Sequence, residues 1–152
     1  MNLHEARIDG SRAVPYTFTW KPPSAVATFE IQSPVGPVGY KVFIEGDEGF
    51  VYLHFSAIDG NHEDETWDHI DIGLRGAIQV FHTVWAIMLQ YFEETEDPIR
   101  VICFTANLFE PSRVRFYTTL AYQVADIFEV DPEIDELSRD MVFTIPVDYE
   151  PQ

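Results

Sequence analysis

Gly73-Leu-Arg-Gly76-Ala-Ile-Gln-Val-Phe-His-Thr-Val-Trp-Ala-Ile-Met-Leu-Gln-Tyr-Phe92, then Ile99-Arg-Val-Ile-Cys-Phe-Thr-Ala106, then Pro111-Ser-Arg-Val-Arg-Phe-Tyr-Thr-Thr-Leu120: the reading of these three segments decides the fold. The first reads as a Gly-containing turn, 73–76, opening a helix over 77–92. Its apolar residues recur at helical spacing, with Ile78, Phe81, Val84, Trp85, Met88, Leu89 and Phe92 on one broad face. Gln79, Thr83, Ala86, Gln90 and Glu93 leave a narrow polar stripe, so a helix this apolar needs cover on several sides. The second segment is nearly continuous in apolar residues, which predicts a strand buried on both faces. The third places Pro111 at the first position of another helix, with Val114, Phe116, Tyr117, Leu120, Ala121, Val124 and Ile127 on its apolar face.

Upstream, the pattern changes to a period of two. Tyr16-Thr-Phe-Thr-Trp20, Ala27-Thr-Phe-Glu-Ile-Gln32, Gly39-Tyr-Lys-Val-Phe-Ile-Glu45 and Phe50-Val-Tyr-Leu-His-Phe-Ser-Ala-Ile58 read as four strands. Lys21-Pro22-Pro23 ends the first, Pro34-Val-Gly-Pro37 reads as an irregular link, and Gly46-Asp-Glu-Gly49 as a tight hairpin. The first 58 residues are thus an antiparallel meander. A strand, helix, strand order after it predicts a right-handed parallel crossover from 50–58 to 99–106. Residues 59–71 read as an acidic loop, 131–136 as an acidic linker, and 141–147 as a last strand ended by Pro146. The expected class is α+β: one domain over 1–152, with a loose arm at 1–13 and a polar tail at 148–152.

Composition narrows the function classes. The chain has 152 residues, 46% hydrophobic and 14% aromatic, enough for one globular core. Its net charge is −17, from 26 acids against nine bases. Such a field repels nucleic acid and anionic lipid, and favours a basic protein partner. No apolar run reaches the roughly 18 residues that a membrane helix needs, and Met1-Asn-Leu-His-Glu-Ala-Arg7 has no apolar signal core. The lone Cys103, mid-strand among apolar neighbours, reads as an inert core thiol of a reducing compartment. His62 and His69 stand among acids in the 59–71 loop, but their spacing matches no compact metal site, and none is expected. Trp67, alone in that polar loop, is expected to fold back on the core or to meet a partner. His82 borders the polar stripe and reads as a hydrogen-bonded histidine. Self-association is also expected, because a sheet edge and an apolar helix require cover.

The order of elements, with Gly76-Ala-Ile-Gln-Val-Phe-His-Thr-Val84, Ile102-Cys-Phe-Thr-Ala106 and Ser112-Arg-Val-Arg-Phe-Tyr-Thr-Thr-Leu120, resembles the GNAT-type N-acetyltransferases. It is closer to small phage-encoded proteins with a GNAT-like C-terminal half. The resemblance covers roughly 40–128. It implies a mixed sheet continuing the meander as β-α-β-α, and a location in the host cytoplasm or the virion. In those enzymes, small residues at a helix N-terminus free backbone amides for the coenzyme A pyrophosphate. Here that motif is degraded: Gly73 stands where Gln or Arg is usual, and Ile78 where Gly or Ala is. The resemblance then implies cofactor contacts at Gly73, Arg75, Gly76 and Asn107, and Tyr117 as general acid to a leaving thiolate. His54 and Asp59 are the nearest candidates for a base. Arg113, one turn before Tyr117, is expected to pair with a carboxylate or cap a neighbour. Two functions follow: a contact protein without catalysis and without a cofactor, or an N-acyltransferase using acetyl-coenzyme A.

Overall fold

A computed structural model describes residues 13–34, 36–59, 62–64 and 73–151. Strands β1 (Tyr16–Lys21), β2 (Ser24–Ser33), β3 (Gly36–Asp47) and β4 (Phe50–Asp59) form an antiparallel meander. A short β5 (His62–Asp64) folds back on the end of β4. Helix α1 (Gly73–Glu94) then crosses to β6 (Ile99–Asn107), which runs parallel to β4. Helix α2 (Pro111–Phe128) leads to the hairpin of β7 (Glu133–Leu137) and β8 (Asp140–Tyr149), and β8 pairs with β6. The strand order is β1-β2-β3-β4-β6-β8-β7. The molecule is therefore one α+β domain with a mostly antiparallel open sheet.

Period-two patterning sets which face is buried. Tyr40, Val42 and Ile44 of β3, and Val51, Leu53, Phe55 and Ala57 of β4, point to the helices and are buried. The β3–β4 turn at Glu48-Gly49 has positive φ at both residues, 47° and 93°, as a two-residue hairpin requires. Gly46 lies under the β1–β2 turn. A Cβ there would strike the Pro23 carbonyl and come within 2.6 Å of Tyr91 Oη. Tyr91 Oη donates to that same carbonyl at 2.7 Å. One tyrosine of α1 thus ties two strand turns to the helix. Tyr149 Oη donates to the Phe92 carbonyl at 2.7 Å, satisfying part of the C-terminal turn of α1.

The structure corrects several expectations. Residues 73–76 are not a separate turn but the first turn of α1. Thr83 is fully buried, while Ile78 is 39% exposed. Thr83 Oγ1 donates to the Gln79 carbonyl at 2.7 Å and accepts from the Val14 N–H at 3.0 Å, so its polarity is satisfied inside. Strand β6 is buried on one face only; Val101 and Cys103 on the other are half-buried, so Cys103 is not a core thiol. The acidic linker contains strand β7, paired with β8 from Glu133 to Leu137. Pro37 lies inside β3, before its pairing with β4 begins at Gly39, where a missing N–H costs nothing. Pro146 lies inside β8 opposite Val101, where the register shifts between Ile99 and Val101; the irregularity admits a residue without an N–H. The acidic loop keeps strand pairing at 57–59 with 62–64. Trp67, His69 and the arm at 1–12 lie outside the described residues.

Candidate functional site

Strands β4 and β6 touch over only three residue pairs, Phe50 with Val101, Val51 with Ile102 and Tyr52 with Cys103. Beyond Tyr52, β4 continues to pair with β3 and β6 with β8, so the two parallel strands part toward their carboxyl ends. Helix α2 begins just past the end of β6. Its N-terminal turn therefore lies at the parting. A gap between diverging parallel strands, flanked by a helix N-terminus, is where an α/β sheet offers a ligand site.

Aromatic rings fill this gap. The Tyr117 ring lies between Phe55 of β4, at 5.4 Å, and Phe104 of β6, at 4.9 Å between centroids. Phe116 packs tilted against Phe55 at 4.6 Å and meets Phe81 of α1 edge-on at 5.5 Å. Phe143 of β8 closes the cluster at 6.1 Å from Tyr117. Tyr117 is fully buried, and no hydrogen bond of good geometry satisfies its hydroxyl. Burial drives its pKa well above the usual tyrosine range, and Glu110 adds to the rise; Arg113 and the adjacent Phe55 main chain work against it.

Arg113, on the first turn of α2, is 6% exposed. Its Nη1 lies 3.1 Å from Glu110 Oε2, the carboxylate pairing that the sequence led us to expect. Its Nε and Nη2 have no hydrogen-bond partner. The other residues nominated from sequence are placed apart from this cluster. Asn107 ends β6, exposed, with Oδ1 accepting from the Phe109 N–H at 2.9 Å. Its side-chain oxygen thus holds the turn into α2. Gly76 is buried within α1 and Arg75 is exposed beside it. His54 is exposed, alternating with the buried Leu53 and Phe55, and so lies on the opposite face of the sheet from Tyr117. Gly73 is the first residue of α1, and the Asp59 side chain lies outside what the structure describes. Among the described residues no group of three or more His, Cys, Asp or Glu is arranged to hold a metal ion. No described helix is long and apolar enough to cross a membrane.

Two features escaped the sequence reading. Phe50 and Tyr52 are 47% and 45% exposed on the sheet face away from the helices, stacked at 6.5 Å and 14°. Their alternation with the buried Val51 and Leu53 made β4 apolar on both faces, which was the available signal. Near them, at the end of the sheet opposite the gap, a cavity of about 520 Å³ is lined by Pro23, Asp47, Glu48, Asp97 and Arg100 among others. Arg100 is bound at 2.8 Å by Asp148 and at 2.7 Å by Glu150, so its charge is countered. Comparison of the chain with protein-family models, with curated proteins and with solved structures finds no match in any of the three.

Proposed function

We propose that this chain is a phage-type protein on a GNAT-like scaffold that acts by contact with a basic protein partner, in the host cytoplasm or the virion, rather than by acyl transfer. The observation that carries this reading is Tyr117. Tyr117, the side chain that the resemblance nominates as general acid, is fully buried between Phe55 and Phe104, and its elevated pKa disfavours ionisation. A general acid has to come within hydrogen-bond reach of its substrate. The strand order, and the parallel pair that parts after three residues, support the scaffold reading.

The contact surface is the Phe50–Tyr52 stack. Glu45 faces Tyr52 and Asp47 faces Phe50 across the β3–β4 ladder, and Glu48 and Asp97 line the neighbouring cavity. A guanidinium can lie on such rings while meeting carboxylates at their rim. The test is twofold. Calorimetric titration with acetyl-coenzyme A is expected to give no heat of binding; clear micromolar binding overturns the reading. An arginine-rich peptide is expected to bind in low salt, and to bind more weakly to Tyr52→Ala.

The second reading is an acyltransferase. It is favoured by the unpartnered Nε and Nη2 of Arg113 and the unpartnered Tyr117 hydroxyl beside the gap. Each buried orphan donor costs about 1–3 kcal/mol, which a ligand entering between β4 and β6 would relieve. Under this reading Tyr117→Phe abolishes acyl transfer, and unchanged turnover removes Tyr117 from the reaction.

A further inference from the structure

The two edges of the sheet are built differently. At one, β7 reads Glu133-Ile-Asp-Glu-Leu137, three acids in five residues. Charge along an exposed edge deters pairing with another chain. At the other, β1 reads Tyr16-Thr-Phe-Thr-Trp-Lys21. It has no acid in a chain that carries 26, no proline within the strand, and five strand-favouring residues in a row. No described strand lies beyond it.

We propose that β1 is a dimerisation edge whose occupant is β1 of a second copy. This inference is independent of the functional reading above. A two-fold axis normal to the sheet requires paired residues to lie on the same face. β1 meets that condition when centred on Phe18, which sets Phe18 on Phe18, Thr17 on Thr19 and Tyr16 on Trp20. On the helix side this makes a row of aromatic rings that extends the existing Phe18–Trp20 stack. These rings are only half-buried within one copy. On the other side it makes a ladder of exposed threonines, a favourable cross-strand pair. No like charges face each other in this register. The charge pattern also selects the edge: two copies at −17 repel, so they meet where acids are lacking, and salt favours the contact.

The experiment is sedimentation equilibrium of the full chain at tens of micromolar, in low and in half-molar sodium chloride. A dimer that tightens with salt is expected; a monomer at both salts overturns the proposal. Thr17 and Thr19 are exposed, so Thr17→Glu with Thr19→Glu leaves the fold intact, which circular dichroism checks. That variant sets Glu against Glu twice per dimer and is expected to weaken association by about tenfold. Mixing it with the Thr17→Lys, Thr19→Lys variant is expected to restore a heterodimer. A dimer indifferent to the glutamates, or a mixture that fails to recover, places the interface elsewhere and overturns the assignment of β1.

Discussion

Tyr117 and Arg113 sit one turn apart, and the structure treats their polar atoms differently. The Tyr117 hydroxyl is a buried donor without a well-formed hydrogen bond, so Tyr117→Phe removes that penalty and is expected to raise stability by about 1–3 kcal/mol in urea denaturation. Arg113 answers Glu110, and both are largely buried. Arg113→Ala leaves a carboxylate without its partner and is expected to lose about 3 kcal/mol in the same measurement. The buried tyrosines also set an alkaline limit. Burial raises the pKa of Tyr40, Tyr117 and Tyr149, and pushes Tyr91 up to about 12. Above pH ~10 the unfolded chain releases protons that the folded chain retains, so the unfolded state binds fewer and stability falls. That stability is fully present below pH ~10 and is lost as pH rises through Tyr91's value of about 12. Phenolate absorbance is expected to show these tyrosines titrating together with loss of the circular dichroism signal.

Among the elements, the β1–β2 turn, the β3–β4 hairpin and the end of α1 meet at Gly46. Gly46→Ala forces a Cβ against the Pro23 carbonyl and Tyr91 Oη, and is expected to cost about 1–3 kcal/mol as a downshift of the denaturation midpoint. The meander, the crossover and both long helices were legible because their periods are unbroken over many residues. The orientation of α1 was not. Helical spacing says which positions share a face, but Thr83 is buried through its bonds to Gln79 and Val14, a contact made 69 residues away in sequence. β7 was hidden because Glu133, Asp135 and Glu136 read as linker; its strand character comes from β8 beside it. At the site, the helical period gave Tyr117 its place on the apolar face. The burial of Arg113 was not legible, because charge predicts exposure, although Glu110 stood at the spacing that permits an ion pair.

For the whole molecule, the charge of −17 works against compaction. Raising sodium chloride from low to half-molar is expected to lift the melting temperature by about 3 °C or more, the equivalent of roughly 1 kcal/mol for a chain of this size. The sheet also divides unequally. Four strands of local hairpins stand on one side and the β6–β8–β7 group on the other, joined through three residue pairs. Main-chain amides of 101–103 are therefore expected to exchange hydrogen faster than those in the middle of β2 and β3. The molecule then behaves as two leaves on a short spine. A load that separates them gives way first along that spine, while each leaf stays whole.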